Sequence, residues 1–417
     1  MIRPTVATID LEAIQANLRE IQTLLSRARG PRGALSPGAG GGAPAPENED
    51  SESASAGARA SGGGAPRAVR KEDARIIAVL KANAYGHGAS EVGRALERAG
   101  ASMLACADIE EGVALRQSGI ALPILVFGAL SVSDLDGVFD HRLTPTVSTP
   151  AAARALERAA AARNVRLRCH LKIDTGMNRL GFRHDNLQRT MPEVLGSGHL
   201  EIEAVYTHFA TADLPESTVL DEQRVRFDRA TAGLAAMGLR AFTRHAANSA
   251  AILRDTRTWY DAVRPGLLLY GIVPPPLAAG DLRLRPALSL TSRIVAVKGL
   301  RRGEGTGYGL RWSADEPRSI AIVPAGYADG LDTRLSGRAA ALVRGRRVPI
   351  VGSVCMDMIM IDVTGLDVSP GDEVVLIGRQ DVEEITAREM AAAIGSIPWE
   401  VTCRLGSRIQ RRYGDGL

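Results

Sequence analysis

Short apolar runs alternate with amphipathic helical stretches before about residue 274, and this rhythm constrains the fold of the chain more than any other feature. Eight of the runs are typical of buried parallel strands: 76–80, 103–107, 124–127, 145–147, 168–173, 204–207, 243–246 and 262–264. Eight strands that alternate with helices predict an α/β fold built on a (β/α)8 barrel. The chemistry of such barrels gathers at the carboxyl ends of the strands.

The rhythm changes after about Pro274. Runs rich in β-forming residues follow at 287–297, 319–323, 348–354 and 373–377, with little helix between them. We therefore predict a barrel over residues 11–273 and a mostly β domain over 274–417, with a first strand at 5–9 and a first helix at about 11–25. The N-terminal residues 1–10 are grouped with the second domain for a reason given below.

A low-complexity segment interrupts the predicted barrel. Residues from about 29 to 70 are mostly Gly, Ala, Pro and Ser, with an acidic patch at 47–52. This composition cannot bury enough apolar surface to offset the entropy lost on ordering. We interpret it as a disordered surface insertion, and a partner-binding role is the alternative.

Composition argues against several classes of protein. No run of about 18 apolar residues exists, and the N-terminus has no signal-peptide core, which argues against a membrane association. The four cysteines are far apart, which favours reduced thiols in a cytoplasm over a disulfide framework or a metal site. A net charge of +4, with no basic cluster that alternates with aromatic residues, argues against a nucleic-acid partner.

Lysine is rare in this chain, and Lys81 stands in an informative place. Only four of the 51 basic residues are lysines. Arginine cannot lose its proton or form an imine, whereas a lysine at the polar end of an apolar run can do both once desolvation lowers its pKa. From spacing alone, a solvated surface lysine is the open alternative.

The run Ala-Val-Leu-Lys-Ala-Asn-Ala-Tyr-Gly-His-Gly, residues 78–88, resembles the cofactor-lysine signature of alanine racemases, which are fold-type III enzymes that use pyridoxal 5'-phosphate (PLP). The resemblance implies that Lys81 binds PLP as a Schiff base and that Tyr85 contacts the cofactor. The segment 172–181 resembles the part of the family whose arginine, here Arg179, hydrogen-bonds the cofactor. Lys172 matches a lysine that is carbamylated in many racemases, and a structural salt bridge from Asp174 is the alternative.

Three further segments match the family in order along the barrel. They are 206–210, 245–249 and 263–267, and they imply cofactor contacts from His208, Asn248, Ser249, Arg264, Gly266 and Leu267. Arg264 would face the pyridine nitrogen. An arginine does not donate a proton to the ring, so the ring stays a weaker electron sink and transamination is disfavoured. A core histidine and a strand-end turn are the alternatives for His208 and for the Arg-Pro-Gly run.

The second domain carries three more matches. Residues 305–309, Gly-Thr-Gly-Tyr-Gly, lack the strand, helix and acid of a dinucleotide-binding motif, and they resemble the family segment with the catalytic tyrosine, here Tyr308. The segments 326–330 and 352–357 imply substrate contacts from Tyr327, Met356 and Asp357, together with Arg179. Hairpin turns are the alternative for each of the three segments. In the family the first strand joins this domain, which is why residues 1–10 are grouped with it.

One position departs from the family. Trp399 stands where the family usually has a tyrosine whose hydroxyl holds the cofactor phosphate. An indole NH can still donate a hydrogen bond, but its reach differs.

The resemblance as a whole implies a cytoplasmic, PLP-dependent alanine racemase that supplies D-alanine for peptidoglycan. Lys81 would act on one face of the substrate Cα and Tyr308 on the other, because inversion needs a base on each face. The family also implies a homodimer with shared active sites. The alternatives are a broader or serine-type racemase of the same fold and, from another class, a non-catalytic PLP carrier, which is a lone barrel. A decarboxylase of this fold would place an acid where Arg264 stands.

Overall fold

A computed structural model describes residues 4–27, 74–130 and 134–414. The insertion predicted at about 29–70 lies outside the described residues and stays a prediction. Among the described residues, no helix has the length and apolar character needed to cross a membrane.

The chain begins with a strand, β1 (Val6–Asp10), and a helix, α1 (Leu11–Arg27). Eight parallel strands then close into a ring in the order β2, β3, β4, β5, β6, β8, β9, β10 and back to β2. Their bounds are β2 Arg75–Val79, β3 Met103–Cys106, β4 Ile124–Val126, β5 Thr144–Val147, β6 Leu167–Asp174, β8 Leu200–Tyr206, β9 Thr243–His245 and β10 Ala262–Val263. A short strand, β7 (Phe182–Arg183), pairs with β6 outside the ring. The predicted (β/α)8 barrel is confirmed.

Helices follow the strands and cover the outside of the barrel. They are α2 Lys81–Tyr85, α3 Ala89–Arg98, α4 Ile109–Gln117, α5 Asp136–Asp140, α6 Pro150–Ala162, α7 Leu187–Leu195, α8 Val219–Ala236 and α9 Ser249–Arg254. Local sequence sets their starts: the side chain of Thr149 caps α6 before a proline at the first helical position, and Asp108 caps α4. Of these helices, α2 has an unusual backbone and is described with the site.

The second domain is a large, mostly antiparallel sheet. The strands of this domain are β11 Leu288–Arg293, β12 Ala296–Leu300, β13 Gly305–Thr306, β14 Trp312–Ser313, β15 Arg318–Val323, β16 Ala340–Val343, β17 Arg346–Val351, β18 Ile359–Asp362, β19 Glu373–Gln380, β20 Glu383–Ile385 and β21 Gln410–Gly414. Of these, β13 and β14 form a separate two-stranded sheet. Its helices are α10 Ala387–Ala393 and α11 Pro398–Cys403. The single predicted run at 287–297 is two strands, because the chain leaves β19 and pairs with β15 at that point.

The first strand pairs with the second domain although it precedes the barrel. β1 lies between β11, to which it is antiparallel, and β21, to which it is parallel. Its buried Ala7 and Ile9 belong to the main apolar core. Along the sequence, the barrel is therefore inserted between the first strand of this sheet and the remaining strands.

The inside of the barrel is divided into an apolar half and a polar half. Strands alternate their side chains between faces, and a separate apolar cluster formed by inward residues of β2, β3, β4 and β10 fills one half. The inward residues of β6, β8 and β9 are instead buried polar or aromatic side chains: His170, Lys172, Tyr206 and His245. The polar half lies beneath the cleft described next.

Deleting residues 31–66 is expected to leave the thermal midpoint of the protein nearly unchanged. The composition of the segment offers no apolar core, and for a surface insertion of the kind predicted, halving the loop length changes the closure free energy by only about 0.6 kcal/mol. Differential scanning calorimetry of the deleted chain, with a Gly-Ser replacement of equal length as the control, measures the change. A large drop in the midpoint for both variants would mean that the segment makes specific contacts.

Candidate active site

A cleft of about 520 Å³ opens at the carboxyl ends of the barrel strands. Its lining is mostly apolar and aromatic, with cationic groups that converge on it from several strands. The predicted residues in its wall are Lys81, Tyr85, Lys172, Arg179, His208, Asn248, Ser249, Arg264, Gly266, Leu267 and Trp399. Residues from separate segments of the sequence thus meet in one cavity.

Lys81 lies two residues past the end of β2 and begins a left-handed turn. Residues 82–85 all have φ between 52° and 55°, a region that non-glycine residues rarely adopt. Glu111 fixes the start of this turn, because its carboxylate accepts from the amides of Ala82 (2.7 Å) and Ala107 (2.8 Å). The turn ends at Gly86, where a Cβ would lie 2.0 Å from the backbone oxygen of Thr402. Only glycine fits there.

The environment of Lys81 lowers the pKa of its amine. Desolvation by the walls of the cleft lowers the pKa of the amine, and the nearby charge of Arg179 lowers it further. Glu111 and Cys403 act weakly in the opposite direction. A larger share of the amine is therefore available as a nucleophile or base near neutral pH.

A small polar cradle lies between the start of α9 and the loop after β10. The hydroxyl of Ser249 is buried and accepts from the amides of Gly266 (3.0 Å) and Leu268 (3.4 Å). Gly266 has no room for a side chain, because a Cβ would lie 2.6 Å from the hydroxyl of Tyr85. Asn248 caps α9 by accepting from the amide of Ala251. Hydroxyl and amide groups in this arrangement can bind a phosphate without a fixed charge.

Arg264 is fully buried under the cleft and makes hydrogen bonds only to neutral acceptors. They are the carbonyls of Thr207 (2.7 Å) and Ala246 (2.8 Å) and the Nδ1 atoms of His245 (2.8 Å) and His208 (3.3 Å). Burial lowers the pKa of the guanidinium to about 10, so it remains a cation at neutral pH. Burial and the charge of Arg264 hold the pKa of His208 well below its usual range, so this histidine is neutral.

Lys172 is buried among other cations. Its side chain lies over the ring of Tyr206, with Nζ 5.6 Å from the ring centroid. Burial, with the charges of Arg179 and Arg264, lowers its pKa to about 8, against a smaller opposing effect of Asp174. The alternative of a salt bridge from Asp174 to an arginine gains no support, because Asp174 accepts from the amides of Gly176 and Asn178.

These groups fit an anionic aromatic phosphate. The cleft is cationic, its cradle is closed on one side by Tyr85, and a lysine with a lowered pKa stands at its wall. A guanidinium whose hydrogen bonds from Nη1 and Nη2 all go to neutral acceptors keeps its charge, which can balance the charge of a bound ring. The donor set therefore suits PLP, which carries a phosphate and an aldehyde.

The second domain contributes two side chains to the wall of the cleft. Trp399, half-buried on α11, stands there as the sequence predicts, and Cys403 lies one turn further along the same helix. Sequence analysis missed Cys403, Phe127 and Glu111. Glu111 is the third residue of α4, a position where an acidic residue predicts helix capping. Nothing in the sequence indicates that its carboxylate binds the turn after Lys81.

Four predicted residues are not in the wall of this cleft. Tyr308, Tyr327 and Met356 lie on the second domain with 79%, 45% and 51% of their surfaces exposed. Asp357 does not line the cleft either, and its carboxylate accepts from Arg408 at 2.7 Å. Within one chain, the structure brings the cofactor residues together and leaves these four residues apart from them.

Comparison with known proteins gives consistent matches over the whole chain. Residues 65–274 match the family "Alanine racemase, N-terminal domain" and residues 287–413 match "Alanine racemase, C-terminal domain". The alanine racemase of Symbiobacterium thermophilum is 39% identical over 414 residues, which cover 99% of this chain and 98% of the relative. That of Carboxydothermus hydrogenoformans is 42% identical over 342 residues, 82% of this chain and 93% of the relative.

Solved structures agree with these matches. Alanine racemase from a D-cycloserine-producing Streptomyces lavendulae superposes with a TM-score of 0.85 at 30% identity, covering 100% of this chain and 98% of that one. The enzyme from Bartonella henselae, solved with covalently bound pyridoxal phosphate, gives a TM-score of 0.78 at 25% identity, with 99% of both chains covered. Both matches include the barrel and the β domain.

Proposed function

The chain belongs to the alanine racemase family, and from this premise we propose that Lys81, Arg264 and the Ser249 cradle hold its cofactor for a two-base racemisation. The activity is the interconversion of L-alanine and D-alanine, and the cofactor is pyridoxal 5'-phosphate. The observation that carries the residue assignment is the convergence of these three groups in one cleft.

The cofactor residues divide by the part of PLP that they would hold. Lys81 would bind the aldehyde carbon, Arg179 the phenolic oxygen and Arg264 the pyridine nitrogen. The phosphate would lie among the side chains and amides of Tyr85, Asn248, Ser249, Gly266, Leu267 and Trp399, with His208 beside the ring. When bound, the cofactor accepts the electrons of the broken Cα–H bond into its ring.

The proton transfers belong to two side chains. The amine of Lys81 takes or returns a proton at one face of the substrate Cα, and its lowered pKa favours the base form. The hydroxyl of Tyr308 does the same at the other face. Arg264 would keep its proton, because its pKa of about 10 lies above neutral pH. Such an Arg264 would donate no proton to the pyridine nitrogen of a bound cofactor, which would favour reprotonation at Cα over transamination.

A homodimer completes the site in this proposal. Tyr308, Tyr327, Met356 and Asp357 are exposed or at the surface of their own chain and do not line its cleft. Tyr308 is a large side chain with 79% of its surface exposed, as expected for a residue that contacts another protomer. A second copy of the chain would bring these residues to the mouth of the first cleft, where they would bind the substrate.

The biological setting follows from the activity. D-alanine made by this enzyme would be used for peptidoglycan. All four cysteines are free in the structure, and Cys106 and Cys169 are buried, which is consistent with a reducing compartment such as the cytoplasm.

A panel of amino acids tests the proposed function. Purified protein with added PLP is expected to racemise both enantiomers of alanine, with chiral chromatography as the measurement. Serine is the informative competitor, since it adds a single hydroxyl to the substrate. A higher kcat/KM for serine, or no turnover of any amino acid by the PLP-bound protein, would contradict the proposal.

Trp399→Tyr is expected to tighten PLP binding. If the indole does not reach the phosphate, the site lacks one hydrogen bond to a charged group, typically worth about 1.5 to 3 kcal/mol. That difference equals roughly 10-fold to 150-fold in Kd. Titration of PLP into apo-protein measures it, with Trp312→Tyr, on β14, as the control. Weaker binding by the Trp399 variant would mean that the indole is itself an adapted contact.

Lys172 is expected to be carbamylated. A neutral amine reacts with CO2, and the product anion would offset the charges of Arg179 and Arg264. Because the neutral fraction rises with pH through a pKa of about 8, a ¹³C-bicarbonate carbamate signal should grow from about pH 7 to about pH 9. The signal should vanish in Lys172→Arg and persist in Lys298→Arg, an exposed control. Equal signals in the two variants would contradict this assignment.

A further inference from the structure

A line of four polar side chains runs inside the barrel from Arg264 to Glu203. Nη1 of Arg264 lies 2.8 Å from Nδ1 of His245, Nε2 of His245 lies 3.0 Å from Nδ1 of His170, and Nε2 of His170 lies 3.2 Å from Oε1 of Glu203. The two histidines are 0% and 3% exposed. Branched apolar side chains ordinarily fill this part of a (β/α)8 barrel. Packing alone therefore does not explain why four polar side chains lie here.

All three hydrogen bonds run in one direction. A guanidinium has no acceptor, so Nδ1 of His245 must accept and the proton of that ring must be on Nε2. His170 then accepts at Nδ1 and carries its own proton on Nε2, which donates to the carboxylate of Glu203. Burial lowers the pKa of both histidines, which keeps the rings neutral. Two neutral rings therefore connect a buried cation to a carboxylate.

Glu203 reaches His170 through an irregularity of β8. Cys169 on β6 is paired with Ile202, but the next residue, His170, is paired with Ala204. Glu203 is the extra residue of a β-bulge, and a bulge redirects the side chain of the strand that carries it. The regular pairing of β6 with β8 is therefore interrupted at Glu203, the residue at which the line of hydrogen bonds ends.

We propose that Glu203 and His170 are positioning residues for racemisation, which act by making His245 a stronger acceptor for Arg264. A carboxylate behind an imidazole fixes its orientation and raises the basicity of the far nitrogen. The other hydrogen bonds of Arg264 go to two carbonyls and a neutral histidine, so the line supplies the anion to which this guanidinium is coupled.

The expected effect of this positioning is on reaction specificity, that is, on racemisation against transamination. This expectation rests on the proposed function. An Arg264 that is held firmly presents a fixed positive charge to the pyridine nitrogen and gives up no proton to it. Loss of the carboxylate would let His170 reorient and would loosen the guanidinium. Reprotonation would then be less confined to Cα, and more turnovers would end in half-transamination, in which alanine transfers its amino group to the cofactor and leaves as pyruvate.

Glu203→Gln tests the proposal, because the amide keeps the size and an acceptor oxygen but removes the charge. Glu201→Gln is the matched control: it lies two residues earlier on the same strand, its side chain is 44% exposed, and it faces Arg168 at 4.0 Å. The first measurement uses apo-protein labelled with ¹⁵N-histidine, whose seven histidines give a simple spectrum. We expect the imidazole proton signals of His170 and His245 to move upfield in Glu203→Gln alone.

The second measurement is the ratio of racemisation to pyruvate formation in the PLP-bound enzyme. Removal of a carboxylate partner of a metal-binding histidine commonly costs 10-fold or more. By analogy we expect this ratio to fall about tenfold in Glu203→Gln and to stay unchanged in Glu201→Gln. A folded Glu203→Gln chain with unmoved histidine signals overturns the proposal, and so does an unchanged ratio with moved signals.

A milder variant covers the case in which Glu203→Gln does not fold. Glu203→Asp keeps the charge but withdraws it by one methylene, so the ratio should shift in the same direction by a smaller factor. An unchanged ratio there overturns the proposal. Failure of the wild type to racemise any amino acid would instead contradict the proposed function, while the spectrum of the apo-protein would still report on the line of hydrogen bonds.

Discussion

Lys81→Ala is expected to abolish racemisation of L-alanine and D-alanine, by at least about 10⁴-fold, because the variant loses both the covalent attachment of the cofactor and one of the two bases. It should also lose the visible absorbance of lysine-bound PLP. Lys81 and Lys172 both line the cleft and both have lowered pKa values, but only Lys81 lies past the end of its strand and begins the left-handed turn. Absorbance spectra and chiral chromatography in both directions measure the two losses.

Two comparisons make this result specific. Lys298→Ala, which changes an exposed lysine on β12, should leave the rate and the absorbance unchanged. Lys81→Arg keeps the positive charge but cannot form an imine, and it should fail as completely as the alanine variant. Visible absorbance that persists in Lys81→Ala, or borohydride labelling at Lys172, would assign the cofactor to another lysine.

Tyr308→Phe is expected to lower kcat about 10²-fold to 10⁴-fold in both directions, the usual contribution of a general acid or base. PLP binding should be unchanged, because the proposed cofactor contacts come from the residues that line the cleft and Tyr308 is not among them. Racemisation rates and PLP titration measure the two quantities. Tyr413→Phe, which removes the hydroxyl of another exposed tyrosine, is the control. A near wild-type rate in Tyr308→Phe would make Tyr308 a structural residue.

Mixing the two inactive variants tests whether the site is shared. In a heterodimer of Lys81→Ala and Tyr308→Phe chains, one site would contain both defects and the other would be intact. Random exchange makes half of the dimers hybrid, so about one quarter of wild-type activity should return. Subunit exchange is verified by native mass spectrometry. An inactive mixture after verified exchange would mean that each chain supplies its own tyrosine.

The barrel was predictable because its signal is local. Eight short apolar runs each correspond to a strand of the closed ring, with ends displaced by a few residues. The lysine and the Arg-Pro-Gly run fall at strand ends, and strand ends share one face of the barrel, so their meeting in a cleft followed from the fold class. The division of residues 287–297 into two strands could not be predicted from local sequence. It depends on a change of partner strand from β19 to β15.

The details around Lys81 were beyond sequence reasoning for physical reasons. Propensity predicts left-handed backbone only for glycine, and to a lesser degree for asparagine, yet Ala82 and Tyr85 adopt it as well because Glu111 and the second domain hold the turn. Glu203 has the sequence appearance of a surface residue, and only the bulge brings it to His170. Both features depend on contacts between distant segments.

The place of β1 in the sheet has a consequence for synthesis on the ribosome. Translation makes this strand long before its neighbours, which begin at Leu288 and Gln410. At 5–20 residues per second, β1 waits roughly 20 to 80 seconds for its last partner, and the barrel can close in the meantime. The turn after Lys81 is held by Arg411, whose Nε donates to the carbonyl of Gly86 at 2.7 Å. A chain that stops before Arg411 therefore has all eight barrel strands but lacks the hydrogen bond from Arg411 that holds the turn after Lys81. Cofactor retention would then distinguish full-length chains from prematurely terminated ones.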